Sequence, residues 1–234
     1  MDKKGLRIAF FGDSLTEGKV GASYFEILRQ KLPEHELFNY GKGGDTVISL
    51  HRRIHKIGWN VPLDLGFLWI GTNDVLVKTS WFLPLRKRLR RQPWAKSHAQ
   101  FREYYRSLLA ELLNKMPFIF TLPPLLIGED INNEWNVELA ELSRLIRDIS
   151  LPFPSVDFVD LRESFIQALK SAMVPSVIPK SIFRKILDIL SAQNPGERLH
   201  FTIDGIHLNK AGASKVAEVL WRKIDAFSPG YPIP

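Results

Sequence analysis

The strongest constraint on the fold is a repeated pairing of a short apolar run with a polar or turn-rich break, followed by residues at helical spacing. LRIAFF (6–11) runs into Gly12, ELFNY (36–40) into GKGGDT, and LGFLWI (65–70) into Gly71. PFIFTL (117–122) stops at Pro123-Pro124, and VDFVDL (156–161) is a fifth run. Continuous apolar runs of this length predict strands buried on both faces. Between them, Phe25, Leu28 and Leu32 share a helical face closed by Pro33, with Ser14 or Thr16 as the expected cap. Residues 48–57, 101–115 and the stretch bearing Trp135, Leu139, Leu142, Leu145, Ile146 and Ile149 predict further helices. A last helix is predicted over about 210–227, where Val216, Leu220, Ile224 and Phe227 align. Residues 75–100 read as irregular, and 162–200 as mostly helical with breaks at Pro175, Pro179 and Pro195. Strands alternating with helices imply an α/β fold, a mostly parallel sheet covered on both sides. With no repeat and no low-complexity linker, residues 1–234 are expected to form a single domain.

In such a sheet, ligands bind beyond the carboxyl ends of the strands, near the switch in strand order. Ser14 of FFGDSLTEG lies just past the first strand, GKGGDT past the second and GTND (71–74) past the third. Three polar segments therefore fall on one edge. A serine hydroxyl becomes a nucleophile only with a base in hydrogen-bond reach and a third group that orients the base. Six histidines are available: His35, His51, His55, His98, His200 and His207. His207 alone has a suitable setting, the polar turn DGIHLNKAG with Asp204 three positions earlier. A carboxylate there can take the Nδ1 proton and leave Nε2 facing Ser14. The competing assignment is that Asp204 and Asn209 simply cap the last helix. His200 has no acid comparably placed. His51 and His55 share a helical face beside Arg52 and Arg53; with no carboxylate to complete a ligand set, they are expected to be solvated surface rather than a metal pair.

An acyl-transfer site also needs donors where negative charge develops. Gly43 or Gly44 can bring a backbone N–H close to a substrate, Asn73 offers an amide, and the Ser14 N–H opens a helix. Each of these segments alone also fits an ordinary turn.

Composition narrows the chemistry. The absence of cysteine excludes disulfides, thiolate catalysis and cysteine-based zinc or iron–sulfur sites. The apolar run of about six residues near the N-terminus is short for a signal-peptide core, and no run approaches the roughly 18 residues of a membrane span, so a cytoplasmic protein is expected. The net charge of +7 is local. Residues 75–102 hold eight cations (Lys78, Arg86, Lys87, Arg88, Arg90, Arg91, Lys96, Arg102) and no acid, which leaves 24 Lys+Arg against 25 Asp+Glu elsewhere. Within 78–96 these cations alternate with Trp81, Phe82, Leu83, Leu85, Leu89 and Trp94. Such a segment suits a solvated loop, peripheral contact with an anionic membrane, or an anionic, lipid-like substrate. No recognised nucleic-acid motif is present, so no specific nucleic-acid partner is expected.

GDSLTEG, the Gly44 segment, GTND and DGIHL, in this order, resemble the four blocks of the GDSL or SGNH hydrolases. The resemblance runs from Ile8 to about Gly212. It implies a flavodoxin-like three-layer α/β/α fold with a parallel five-stranded sheet, and hydrolysis of esters or thioesters without a metal or other cofactor. Carried over by motif, Ser14 is the nucleophile, His207 the base and Asp204 its orienter. Gly44 N–H, Asn73 Nδ2 and Ser14 N–H form the oxyanion hole; Gly44 is favoured over Gly43 because it precedes the Asp45-Thr46 pair. Asp13 is expected to brace its loop. Residues 75–100 and 170–200 depart from a minimal family member and are expected to be lid-like insertions bordering the site. The implied function is a serine esterase or lipase cleaving a small acyl ester through an acyl-enzyme. An acyltransferase with the same triad, or a non-enzymatic anion- or lipid-binding module, are the alternatives.

Overall fold

The computed structural model describes residues 5–79, 92–172 and 199–227. The elements in chain order are β1 (Arg7–Gly12), α1 (Ser14–Glu17), α2 (Tyr24–Lys31), β2 (Glu36–Gly41), α3 (Val47–Ile54), β3 (Leu65–Trp69) and α4 (Thr72–Thr79). They are followed by α5 (His98–Leu113), β4 (Ile119–Leu122), α6 (Glu134–Ser150), β5 (Val156–Phe158), α7 (Leu161–Ser171) and α8 (Lys210–Ala226). All five strands pair in parallel in the order β2-β1-β3-β4-β5. Connections run outward from β1 to β2, then back across β1 to β3. The switch in strand order thus lies between β1 and β3, whose carboxyl ends lead to Ser14 and to Asn73.

The pleat sorts side chains between two cores. Ala9 and Phe11 of β1 face one layer, with Leu68, the apolar faces of α3 and α5, and α6. Ile8 and Phe10 face the other, with Phe67, Trp69 and Phe120, against α2, α7 and α8. On this second face Phe10, Phe67 and Phe120 occupy matching register positions and form a stack across three strands. The ring centroids are 5.0 and 5.1 Å apart. Each such pair adds about 0.5–1.5 kcal/mol beyond the area it buries, and the stack fixes the register that carries the strand ends.

Two helical assignments differ from expectation. The chain after β1 does not make one helix capped by Ser14 or Thr16. Asp13 caps a four-residue α1 by accepting from the Leu15 N–H at 3.0 Å, and Gly18, at φ 72°, ends it. A separate α2 starts after Ser23, whose side chain accepts from the Glu26 N–H. Likewise 75–100 is not irregular throughout. α4 covers Thr72–Thr79, and α5 begins at His98 because Ser97 caps it through the Gln100 N–H. At β5 the strand is shorter than expected, since Asp160 caps α7. Of the two expected insertions, the middle of the first, 80–91, and most of the second, 173–198, lie outside the described residues.

Candidate active site

β1 delivers the chain to Asp13 and Ser14, and the turn between them is tight. A Cβ at Gly12 would lie 2.2 Å from Thr16 Oγ1 and 2.6 Å from the Trp69 carbonyl, so only glycine lets α1 fold back onto the strand end. Ser14 is the first residue of α1, with its hydroxyl over the sheet edge. Four residues make a negligible macrodipole, so Ser14 can offer an oxyanion its own N–H rather than a helix field.

His207 arrives from the far end of the chain. Thr202 and Leu208 bridge antiparallel, and the Ile203 N–H donates to the His207 carbonyl at 2.8 Å, so 202–208 is a small closed hairpin. Gly205, at φ 85°, turns it, a conformation costly for any residue with a Cβ. The hairpin is tied down by Ala22 N–H to Leu208 O (2.7 Å) and Gly128 N–H to Gly205 O (2.6 Å). The Glu129 carboxylate accepts from the His200 and Phe201 N–H groups. Asn209 caps α8 through the Gly212 N–H. Asp204 does not cap that helix. Its Oδ1 accepts from the Ile206 and His207 N–H groups, at 2.9 and 2.6 Å, and its Oδ2 lies 2.5 Å from His207 Nδ1. His207 Nε2 then stands 3.1 Å from Ser14 Oγ.

The electrostatics follow from burial opposed by partners. Burial alone would raise Asp204. The hydrogen bond and charge of His207, with the two backbone N–H groups, outweigh it and hold the carboxylate below its usual range. Burial alone would lower His207; the hydrogen bond and charge of Asp204, helped by Asp13, hold it above the ordinary imidazole value. Asp13 is driven mainly by burial, against the Leu15 N–H, the charge of His207 and the Asn73 amide, and its pKa rises to about 6.

The expected oxyanion donors gather at the same edge. Asn73, in the first turn of α4, donates one amide hydrogen to Asp13 Oδ2 at 3.1 Å, which orients the side chain while a second amide hydrogen remains on the nitrogen. Asp13 therefore braces both α1 and Asn73, as expected. The Gly43 N–H donates to Glu17 Oε2 at 3.0 Å and is thereby committed. Gly44 has φ 77°, the left-handed region glycine favours, in the turn closed by Asp45 N–H to Lys42 O.

The bracing of these turns is mostly long-range. Asp74, the last residue of GTND, is buried; its Oδ2 accepts from the Val47 N–H at 2.9 Å and its Oδ1 from the Ala95 N–H at 3.2 Å. It thus joins the block after β3 to the start of α3. The start of α3 has its own capping box between Thr46 and Ser49, and Thr46 Oγ1 donates to the Pro93 carbonyl. Asp45 binds Arg53 Nε at 2.8 Å. A polar residue in a helix's first turn was the available signal for Asp74; nothing marked Glu129.

The other five histidines sit apart from Ser14. His35 Nδ1 accepts from the Leu6 N–H, and His98 meets Glu138. The His200 ring packs on Phe201. His51 and His55 overturn one expectation: Glu111 of α5, distant in sequence, completes a set of three ligand-type residues. Of the basic block, 80–91 lies outside the described residues, and Lys78 is held by Glu138 at 2.8 Å. Among the described residues no helix is long and apolar enough to cross a membrane.

The family model described as the GDSL-like Lipase/Acylhydrolase family matches residues 10–215. No curated protein matches the chain. Among solved structures, an acetylxylan esterase from Geobacillus stearothermophilus aligns with a TM-score of 0.68 at 22% identity, covering 96% of each chain. A second acetyl xylan esterase aligns with a TM-score of 0.69 at 23% identity, covering 94% of this chain and all of that one (100%). An alpha/beta hydrolase enzyme from the metagenome of Lake Arreo, Spain, aligns with a TM-score of 0.67 at 19% identity, covering 93% and 94%. These likenesses speak for a shared fold.

Proposed function

The chain belongs to the GDSL-like lipase/acylhydrolase family and is a carboxylic ester hydrolase, and on that premise we propose that it cleaves a small acyl ester through a Ser14–His207–Asp204 triad. The observation that carries the proposal is the continuous path from Asp204 Oδ2 to His207 Nδ1 (2.5 Å) and from His207 Nε2 to Ser14 Oγ (3.1 Å). Asp204 holds the imidazole with its proton on Nδ1, so Nε2 can take the hydroxyl proton as Ser14 Oγ attacks the acyl carbon. The new C–O bond pushes the carbonyl electrons onto oxygen. Asn73 Nδ2, Gly44 N–H and Ser14 N–H receive that charge. His207 then protonates the leaving alcohol, the acyl group stays on Ser14, and the same nitrogen activates water to release the acid. A raised His207 pKa suits the second half of each proton transfer, because the imidazolium is held beside a charged Asp204.

For the substrate, we infer a short acyl group on an alcohol or sugar. What supports this is that two of the structural neighbours are acetylxylan esterases by name. A preference for anionic or lipid-like esters, borne by 78–96, is a separate proposal. So is the organisation of 1–234 as one hydrolase domain with 75–100 and 170–200 bordering its site. The short Ser14–His207 distance removes the motive for a non-enzymatic binding module, which has no use for that pairing.

The test is hydrolysis of chromogenic acyl esters from about two to twelve carbons, wild type beside Ser14→Ala. Turnover highest on acetyl and propionyl esters, falling by on the order of 10⁶-fold in the variant, is the expected result. Undiminished turnover in a folded Ser14→Ala protein would remove the triad. Full dependence on Ser14 with an alcohol acceptor consumed in preference to water would turn the assignment to acyl transfer.

A further inference from the structure

Helices α3 and α5 pack side by side on one face of the sheet, and His51, His55 and Glu111 meet along their seam. His51 and His55 are four positions apart, so both rings leave α3 on one face, one turn apart. Their centroids are 5.4 Å apart. Glu111, near the end of α5, sends Oε1 to within 2.9 Å of His51 Nε2 and Oε2 to within 3.3 Å of His55 Nε2. The three ligand atoms all lie within 4.8 Å of one another.

We propose that His51, His55 and Glu111 bind one divalent transition-metal ion of the zinc class and so clip α3 to α5. The donor set argues for the class. Two imidazole nitrogens and one carboxylate suit Zn²⁺, Co²⁺, Ni²⁺ or Cu²⁺, whereas Ca²⁺ and Mg²⁺ demand oxygen ligands. The spacing argues for fit. An ion about 2.0–2.2 Å from tetrahedral ligands needs them roughly 3.3 Å apart, and the two His–Glu separations of 2.9 and 3.3 Å are already near that. On binding, each Nε2 gives up the proton it directs at Glu111, by a shift of the neutral ring's proton to Nδ1 or by release to solvent from a charged ring, and its lone pair goes to the ion in place of the Nε2···Glu111 contact. The support is also built. Ser107 Oγ donates to Glu111 Oε1 at 3.4 Å, and the Tyr104 ring stands edge-on to His51 at 5.5 Å, which fixes the carboxylate and the imidazole plane. His55 is 58% exposed, so a water can complete the coordination from the open side.

The neighbouring set of His98, Glu138 and Glu141 lacks this vacancy for charge. Lys78 Nζ sits 2.8 Å from the same Glu138 oxygen that His98 Nε2 approaches at 2.9 Å, so an ammonium already holds the cation's place. Arg52 and Lys56 each follow one of the two histidines in the chain, and Glu111 supplies the single negative charge of the set, so saturation is expected at micromolar rather than nanomolar zinc.

The experiment titrates the metal-stripped full chain with Zn²⁺ by calorimetry and repeats the titration with Co²⁺ by visible absorption. One equivalent per chain, a higher unfolding temperature with zinc, and a Co²⁺ ligand-field band are expected. His55→Ala changes an exposed ring and Glu111→Gln is isosteric, so both keep the fold, which circular dichroism checks. Each should weaken zinc by at least about 10–100-fold, the loss typical of removing even a group that only supports a ligand. Metal-free ester hydrolysis stays unchanged in both variants, and His98→Ala leaves zinc binding intact. Absence of saturable zinc binding below millimolar concentration overturns the proposal. So does binding that survives both variants, or that is lost in His98→Ala. Zinc inhibition of ester cleavage that Glu111→Gln fails to relieve would place the ion on His207 and overturn it as well.

Discussion

Among the described residues, two groupings of serine, histidine and carboxylate are wired differently. At the strand ends, Ser14 Oγ is 3.1 Å from His207 Nε2 while Asp204 takes Nδ1. At the helix seam, Ser107 Oγ is also 3.1 Å from a histidine nitrogen, His51 Nε2, but Glu111 approaches that same nitrogen at 2.9 Å. In the first arrangement the imidazole stands between acid and hydroxyl, and a proton can enter on one side and leave on the other. In the second the hydroxyl and the carboxylate compete for one nitrogen, and nothing relays. Residue types and a distance are therefore shared by the proposed catalytic arrangement and the proposed ligand cluster. What separates them is which ring nitrogen each partner meets, and whether the serine sits at a strand end or inside a helix.

The difference can be broken most sharply at the carboxylates. Asp204→Asn should reduce turnover by about 10⁴-fold, because an amide stabilises the wrong imidazole tautomer. Glu111→Gln should leave the rate on the same chromogenic ester within twofold of wild type. Equal losses at the two positions would erase the distinction. A smaller effect separates the sites by their donors. Asn73→Ala should fold normally by circular dichroism and lose about 10²–10³ in kcat, since one oxyanion donor is gone. Ser107 has no counterpart donor set, and Ser107→Ala should leave kcat unaltered.

The least perturbing test is pH. His207 must be neutral to take the Ser14 proton, and its partners hold its pKa above the ordinary value. The acid limb of kcat/KM should therefore have its midpoint above about 6.5. Asp13, at about 6, adds a second titrating group below that midpoint. The residual activity of Asp204→Asn should show the limb moved downward, because burial, which lowers the imidazole, is then opposed mainly by the charge of Asp13. The linkage to stability runs the other way. The stabilisation that His207 gains from Asp204 is complete below about 6.5 and is lost as pH rises through its raised folded pKa, whereas that of Asp204 is lost as pH falls through its lowered one.

Much of the candidate site was legible because its parts are local. Asp204 and His207 lie within one turn, and Ser14 and Asn73 each follow a strand recognisable from its apolar run. What escaped was long-range or conditional. Glu111 lies 60 positions from His51, and no periodicity within α3 could announce it. Asp74 looks like a turn former until α3 supplies the N–H it accepts. The division of the first helix depends on the positive φ of Gly18, with Asp13 rather than Ser14 doing the capping. In the fold, the alternation of strand and helix settled the architecture, while caps one residue outside the apolar pattern moved the boundaries.

The closed hairpin at 202–208 has a bearing on when this protein becomes active. Ser14 and His207 are 193 positions apart. On the proposed triad, a ribosome completes β1, Ser14 and the proposed oxyanion donors long before His207 exists, and loop closure over that span is among the slower events available to such a chain. A half-made or half-folded molecule then carries Ser14 without its proposed base and is expected to be inert toward the esters around it. The timing of that last docking makes ester cleavage a report that the whole sheet, from its first strand to its final helix, has been assembled.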